Sequence, residues 1–225
     1  MLTAASIPPG GKTKRSQSWE HITLPLLIAE KAAAYGLQPM LLAVLSYRYE
    51  RVDQIGQGDF AFLAERARLE GCSIKVQGSK LIVYSDAYME SLPPVKTLDA
   101  SQFLEEPRFQ DVANGVYQRC IVSWQGISAL FNDEDVVGPD YIVSDYPVFS
   151  TGEAQRFAKH LLRSANKMGS LGEISIDLDV SITAGNTIMI SGMGMSDGKY
   201  FIDTAYPSFT DGVSRLSLHR CFERF

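Results

Sequence analysis

The chain has 225 residues, of which 45% are hydrophobic and 21% are charged. This is an ordinary globular composition with enough length for one large core or two small ones, and it excludes an intrinsically disordered chain. The formal net charge of -5 argues against a nucleic-acid-coating protein, because phosphate binding depends on clustered lysine and arginine. The one basic run, Lys12, Lys14 and Arg15, is short and typical of a solvated tail.

The three cysteines, Cys72, Cys120 and Cys221, are widely spaced. Their odd number and spacing indicate neither a disulfide framework nor a zinc knuckle, so we expect small core residues in a reducing compartment. No stretch approaches the ~20 apolar residues that cross a bilayer, and the N-terminus lacks the order of a signal peptide. The sequence therefore predicts a protein made in the cytoplasm, without stable membrane insertion.

The N-terminal residues 1–18 are rich in Gly, Pro, Ser, Thr and Lys. This composition predicts a flexible arm or the remnant of a preceding domain, with order beginning near Trp19. Apolar residues at helical spacing follow from Leu24. Thr23 stands where a helix is capped and Gly36 where one ends, so a first helix is predicted between them.

A small α/β domain is predicted over residues 19–92. After the first helix, residues 42–49 have the pattern of a strand in their later half, although their start is equally compatible with a helix. A second helix is predicted over residues 59–70, with its buried face left open between two alternatives. Residues 73–77 and 80–84 then form a predicted hairpin with a two-residue turn.

An antiparallel β-barrel with one inserted helix is predicted over residues 93–225. Pro93 and Pro94 mark the boundary, because adjacent prolines force an extended connection. The inserted helix is predicted over residues 152–168 from its apolar period, and Asp211-Gly212 is a strong hairpin turn. Alternating patterns predict strands over residues 115–124, 171–180, 186–191, 199–205 and 213–221. The predicted fold class is therefore α+β.

A glycine-rich segment from Gly192 to Lys199 suggests a phosphate-binding loop at first sight. A P-loop needs four residues between its glycines and a Ser or Thr after the lysine. Here Gly192 and Gly198 enclose five residues, and Tyr200 follows Lys199. A turn between two strands is the favoured interpretation, since Gly and Asp are common in turns.

Acidic residues form two groups. Clustered carboxylates can bind a divalent cation or supply the acid and base of a glycosidase. The two groups are Asp133, Glu134 and Asp135, and the pair Asp177 and Asp179. Neither group belongs to a matching constellation. A loop tip is favoured for the first group and a solvated strand face for the second.

The histidines His21, His160 and His219 lie far apart in sequence. None belongs to a metal-binding pair with helical spacing, and no G-x-S-x-G nucleophile motif occurs. The sequence therefore predicts no catalytic, cofactor-binding or metal site, and no enzyme activity.

Five short sequence motifs, here called phrases, occur in order along the chain. They are Ser18-Trp19-Glu20 with Ala33-x-Tyr35-Gly36-Leu37; Gln57-Gly58-Asp59-Phe60-Ala61-Phe62-Leu63-Ala64 with Glu70-Gly71; Gly152-Glu153-Ala154 with Asn166-Lys167; Ala184-Gly185-Asn186-Thr187; and Gly198-Lys199-Tyr200-Phe201-Ile202. Together, over residues 18–220, they resemble the late control protein D family of phage baseplate hub proteins. Gly58 stands where the family usually has Ser.

The resemblance implies a structural protein of the virion tail baseplate, from a phage, a prophage or a related contractile injection system, assembled in the host cytoplasm. It implies a homotrimeric ring that connects the tail tube to the central spike, with the tube or its initiator, the spike and other baseplate proteins as partners. Such a ring needs large interfaces and no active site or cofactor. Family members carry an earlier barrel domain, whereas one barrel is predicted here, so either that part lies outside this chain or the chain is a shorter hub.

Two rival functions stay open. A tail-associated peptidoglycan hydrolase would use Glu173, Asp177 or Asp179. A cell-wall carbohydrate-binding module would stack sugar rings on Trp124 or Tyr206, although both aromatics are more typical of a core or a barrel lip.

Overall fold

The computed structural model describes residues 8, 10–111, 115–134 and 136–222. Its mixed helices and strands confirm the predicted α+β class. The strands are β1 Lys14–Thr23, β2 Gln38–Leu42, β3 Arg48–Gly58, β4 Cys72–Gln77, β5 Lys80–Ser85, β6 Lys96–Asp99, β7 Arg108–Asp111, β8 Arg119–Trp124, β9 Ile127–Asn132, β10 Asp140–Val143, β11 Ser170–Asp177, β12 Thr187–Ser191, β13 Gly198–Ser208 and β14 Val213–Arg220. The α-helices are α1 Leu24–Ala34, α2 Asp59–Leu69, α3 Asp86–Ser91 and α4 Thr151–Asn166, and single 3-10 turns cover Ala100–Gln102, Lys167–Gly169 and Gly194–Ser196.

The chain divides into two compact units. The first unit holds the described residues up to Asp86, with Arg119–Asp133 and Asp140–Leu162. The second unit holds the described residues of Ala87–Gln118, Glu134–Pro139 and Arg163–Phe225. The sequence-based boundary at residue 92 assigns everything after it to a second domain, whereas strands β8, β9 and β10 fall in the first unit.

The first unit contains three small sheets. Strands β1 and β3 form a long antiparallel ribbon. Strand β5 lies between β2, which runs parallel to it, and β4, which runs antiparallel. Strand β8 lies between β10, which is parallel to it, and β9, which is antiparallel.

Helix α1 begins and ends where the sequence predicts. The Thr23 hydroxyl accepts a hydrogen bond from the Leu26 N–H, which satisfies a donor that the first helical turn leaves free. At the other end Gly36 has φ +64, and the Leu37 N–H returns to the Ala32 carbonyl at 2.9 Å. Helix α2 is also confirmed.

A buried ion pair joins α1, α2 and β3. Lys31 Nζ lies 2.7 Å from Asp59 Oδ1, and both side chains are about 95% buried or more. Gln54 Nε2 donates to the same carboxylate at 2.9 Å and Gln54 Oε1 accepts from Lys31 at 3.1 Å, while the Tyr35 hydroxyl donates to Asp59 Oδ2 at 2.6 Å. Every charged atom of the pair therefore has a partner, as burial requires.

The helix predicted over residues 152–168 is confirmed as α4. Its period of buried residues follows the predicted stripe, which consists of Ala154, Phe157, Ala158, Leu161 and Leu162, all 0% exposed. Within the described residues, no helix is long and apolar enough to span a membrane.

The second unit contains a six-stranded sheet in the order β6-β12-β13-β14-β11-β7. All neighbours are antiparallel except β6 and β12, which run parallel. Its core consists of Leu98, Ile174, Ile176, Ile182, Ile188, Ile190, Tyr200, Ile202, Leu216 and Leu218. Asp211-Gly212 turns β13 into β14, as predicted. Among the residues described, no strand pairing joins β6 to β7, so barrel closure stays a prediction.

Among the predictions for residues 1–92, two differ from the structure. The segment predicted as an arm, residues 1–18, contains the start of β1 at Lys14, while residues 1–7 and 9 lie outside the described part. This ribbon strand is exposed on both faces for most of its length, so its sequence lacks alternation. A strand is predicted in the later half of residues 42–49, and the structure places strand there only from Arg48, where β3 begins. The start of this segment is neither helix nor strand beyond Leu42, where β2 ends, and Ala43 has φ +53.

Replacing Asp59 by alanine is expected to destabilise the first unit by about 3–5 kcal/mol, because Lys31 is left buried with no carboxylate. Urea unfolding followed by tryptophan fluorescence measures the loss, since Trp19 lies in this unit and is 8% exposed. Asp53→Ala is the control. It breaks a 3.0 Å pair with Arg51 that is partly exposed, and we expect a loss of about 1 kcal/mol or less. Equal losses for the two variants would contradict this account.

Candidate functional site

The glycine-rich segment connects β12 to β13, which confirms its interpretation as a turn between strands. Its polar groups are occupied by the protein itself. The Arg220 guanidinium donates to the Asp197 carbonyl at 2.6 Å and to the Met195 carbonyl at 3.2 Å, and the Met193 N–H donates to the Asp197 side chain at 2.6 Å. A loop held from within in this way has few free amides for a phosphate.

The three carboxylates of the hydrolase hypothesis, Glu173, Asp177 and Asp179, do not converge. Glu173 and Asp177 are exposed and lie four residues apart on β11, a separation of roughly 13 Å along a strand. Paired glycosidase carboxylates lie within roughly 10 Å of each other. Asp179 lies after the strand and accepts hydrogen bonds from Lys96 Nζ at 2.8 Å and from Ser181, which lower its pKa to about 2. Near neutral pH Asp179 is therefore ionised and paired with Lys96, and it has no proton to donate as a general acid.

The first acidic group lies between β9 and β10. Glu134 is exposed and Asp133 half-buried, and Asp135 lies outside the described residues. In the described part of the chain, no three His, Cys, Asp or Glu side chains come together as potential metal ligands.

The two aromatic residues considered for sugar stacking lie in different units. Trp124 ends β8 and is partly buried. Tyr206, on β13, is 66% exposed. It lines an open groove of about 390 Å³ on the sheet of the second unit, together with Glu105, Glu106, Arg108, Glu173, Ile174, Ser175, Arg215, Leu216 and Ser217. Trp124 also lines an open pocket, of about 380 Å³, but Tyr206 has the more exposed side chain of the two.

The three histidines have different surroundings. His21 is exposed and lies 3.2 Å from Glu50 across the β1–β3 ribbon. His160 packs on Gly71, where an added Cβ would lie 2.3 Å from the ring, so only glycine fits at that position. His219 is 0% exposed and belongs to a cluster of charged groups in the second unit.

Both ring nitrogens of His219 face carboxylates. Nδ1 lies 2.6 Å from Asp203 Oδ2, and Nε2 lies 3.3 Å from Glu90 Oε1. Two carboxylates are both satisfied only when each nitrogen carries a proton, so the geometry fits the imidazolium form. Arg163 also contacts Glu90, at 2.6 Å, and Lys167 contacts Asp203, at 3.2 Å.

The ionisation of this cluster follows from its contacts. Burial by itself lowers the pKa of a histidine, but hydrogen bonds to Asp203 and Glu90 outweigh it and hold the pKa of His219 above its ordinary value of 6.5. Burial opposes ionisation of Glu90 and Asp203 too. Their hydrogen bonds to His219 and the nearby Arg163 and Lys167 outweigh it and lower the pKa of both carboxyls.

A histidine between two carboxylates resembles the orienting part of a catalytic dyad, but His219 has no access to a substrate because it is completely buried. The sequence gives no signal for this cluster. Its residues are dispersed between positions 90 and 219, and alternation on β14 places His219 on the face opposite Leu216 and Leu218. The cluster is a structural element that sequence reasoning missed.

The first unit has a comparable cluster. Glu70 is buried and accepts hydrogen bonds from the Tyr49 hydroxyl at 2.9 Å and from the Arg156 guanidinium at 3.3 Å. Arg66 lies over the rings of Tyr49 and Phe157 at 4.6 and 5.4 Å. In each unit these buried carboxylates are thus hydrogen-bonded to side chains of the same unit, whereas Arg66 Nε has no hydrogen-bond partner among the described atoms.

The fold that these two units define is shared with solved phage and prophage tail proteins. The tail protein from Neisseria meningitidis MC58 matches with a TM-score of 0.75 at 16% identity, over 94% of this chain and 71% of that chain. The 43 kDa tail protein of prophage MuSo2 from Shewanella oneidensis matches with a TM-score of 0.73 at 13% identity, over 96% and 68% of the two chains.

A third match links the fold to secretion machinery. The E. coli c3393 protein, a component of the type VI secretion system with structural similarity to the T4 tail proteins gp27 and gp5, matches with a TM-score of 0.56 at 11% identity, over 94% of this chain and 52% of that chain. No protein-family model and no curated protein sequence matches significantly. At these identities the likeness establishes the fold.

The His219 cluster predicts a pH dependence of stability. A histidine whose pKa is raised on folding contributes stability that is fully present below its ordinary pKa of 6.5 and is lost as the pH rises through the folded value. We therefore expect the free energy of unfolding to decline above about pH 6.5. The decline should be smaller in His219→Gln, which does not titrate, whereas His21→Gln should keep it. Urea unfolding at a series of pH values measures this, and an unchanged decline in His219→Gln would contradict the assignment.

Proposed function

We propose that this chain is a non-catalytic structural protein of a phage-type tail: a baseplate hub that forms a homotrimeric ring between the tail tube and the central spike. The observation that carries the proposal is the likeness of nearly the whole chain to the Neisseria and Shewanella tail proteins. A virion tail location, and the spike, the tube or its initiator, and other baseplate proteins as partners, belong to the same proposal.

Membership of the late control protein D family is part of the proposal and is supported by where its phrases lie. Asp59 is the carboxylate of the buried ion pair in the first unit. Trp19 stacks on Phe62 at 5.3 Å between ring centroids and donates to Glu30 at 2.9 Å. The Asn166 side chain bonds both backbone groups of Tyr117, at 2.8 and 2.9 Å. The resemblance therefore falls on residues that hold the fold.

A non-catalytic role is supported by the state of the polar residues. The carboxylates of Asp59, Glu90 and Asp203 are held by neighbouring side chains, and Glu173, Asp177 and Asp179 do not converge. A ring protein needs extensive complementary surfaces instead. Closure of the six-stranded sheet into a barrel also belongs to this proposal, since the family resemblance implies it.

The homotrimeric ring is tested by the mass of the chain in solution, alone and with the spike protein of the same tail. We expect three times the chain mass, and a larger complex when the spike is added. Light scattering coupled to size exclusion measures both. A strict monomer that ignores the spike would overturn the proposal.

A second candidate function, binding of cell-wall carbohydrate, is favoured by one observation: Tyr206 is 66% exposed beside a groove with Glu106 and Arg215. If the chain binds cell-wall carbohydrate, the protein should sediment with purified peptidoglycan. Tyr206→Ala should abolish this sedimentation, whereas Tyr88→Ala, which alters an exposed tyrosine of the same unit, should not.

Zymography tests whether the chain is a hydrolase. A clear band that is lost in Glu173→Gln would replace the structural proposal with an enzymatic one.

A further inference from the structure

Strand β2 is unusually exposed for an apolar strand. Met40 and Leu41, which point to opposite faces of the sheet, are 41% and 38% exposed. Leu45, in the segment that follows, is 62% exposed. From residue 36 to residue 47 the sequence has no charged side chain. Without charged side chains along it, this exposed segment has little to oppose pairing with another strand.

The backbone of β2 is also available. Among the described strands β2 pairs with β5 on one side, and it is the end strand of its sheet. Pro39 lacks an N–H, so new pairing on the free side is carried mainly by residues 40–42. An end strand with free N–H and C=O groups accepts another strand readily unless charges or irregularities prevent it.

The other end strands of the first unit show which edges are protected. The ribbon strands β1 and β3 carry several charged residues each. Strand β4 carries Lys75 and strand β10 begins with Asp140. Charged side chains on an edge oppose pairing with another chain. Two end strands of this unit have no charged residue, and they are β2 and β9.

Strand β9 matches β2 in length and character. It has six residues against five, and it is the end strand of the sheet β10-β8-β9. Its side chains alternate between half-buried and exposed, and Leu130 on the exposed side is 53% exposed. The first unit therefore presents two different uncharged edges, each missing a neighbour.

We propose that β2 of one copy of this chain pairs with β9 of the next copy, so that the two three-stranded sheets continue into one sheet across the interface. The occupant of each edge is thus a second copy. The two edges are alike in lacking charge and differ in sequence, which suits a contact between unlike surfaces of identical chains. This inference rests on the proposed ring.

The geometry of such a contact agrees with a ring. A contact between two different surfaces of the same chain leaves one unused edge at each end of a dimer. A third copy can fill both edges if the rotation closes. Backbone hydrogen bonds then supply much of the affinity, while Leu41 and Leu130 exclude water on the outer faces.

The test places a charge on each edge separately. Leu41→Lys alters β2 and Leu130→Lys alters β9, both at exposed positions where the monomer fold tolerates lysine. Ile55→Lys, at a position of β3 that is 75% exposed, is the matched control. Light scattering gives the mass of each protein, and circular dichroism confirms that each is folded.

We expect the unaltered chain and Ile55→Lys to be trimers. Each edge variant is expected to be a monomer with association weakened roughly 100-fold, because a lysine on an end strand opposes pairing with another chain. An equimolar mixture of the two edge variants should form dimers and stop there. Each variant has one intact edge, and the intact β9 of one can bind only the intact β2 of the other.

Two results would overturn the inference while leaving the proposed ring intact: trimers formed by the edge variants, or a mixture of monomeric edge variants that stays monomeric while the unaltered chain is a trimer. An unaltered chain that is itself a monomer and ignores the spike would remove the proposed function together with this inference.

Discussion

A charged side chain that is buried away from water needs an oppositely charged or hydrogen-bonding partner within the protein. This requirement applies in both units. In the first unit the Lys31–Asp59 pair fixes the start of α2 against α1, with Gln54 and Tyr35 supplying the remaining bonds. A buried pair of this kind is a poor source of net stability compared with packed apolar residues, yet breaking it is costly. Its main effect is therefore on specificity, since few arrangements of α1, α2 and β3 satisfy all the polar atoms.

The hydrogen bonding of these buried groups also bears on function. A catalytic histidine or carboxylate needs a free lone pair or a labile proton that a substrate can reach. His219 has both nitrogens engaged and no exposed surface, and Glu70 is bonded to Tyr49 and Arg156. Groups so fully engaged hold a scaffold in one shape. A rigid scaffold is what a protein needs when its task is to present surfaces to neighbours.

The parts of the fold that could be predicted are those in which local pattern and burial agree. Helix α1 has Thr23 and Gly36 at its ends, α4 has an uninterrupted apolar stripe, and the β13–β14 hairpin has Asp211-Gly212. Such features encode their structure within a few residues. The five ordered phrases added a resemblance to tail proteins, and the shared fold agrees with it.

The parts that could not be predicted depend on distant contacts. Strand β1 is solvent-exposed on both faces for most of its length, so apolar and polar residues do not alternate along it. Its pairing with β3 therefore could not be predicted from the local sequence. Residues 87–118 belong to the second unit, and the chain re-enters the first unit at Arg119. No change of composition marks this point in the sequence. The charged groups around His219 come from four separate segments, and only the folded chain brings them together.

Charge is thus distributed in two ways in the first unit. The buried residues Lys31 and Asp59, and Glu70 with Arg156, form ion pairs that fix the shape of the single chain. Where strand edges face solvent, charge is present on β1, β3, β4 and β10 and absent from β2 and β9. An uncharged exposed edge is a hazard for a protein that stays alone, because it promotes uncontrolled strand pairing. For a subunit that must join copies of itself in one register, the same absence of charge is useful, and confining it to two edges limits how the copies can meet.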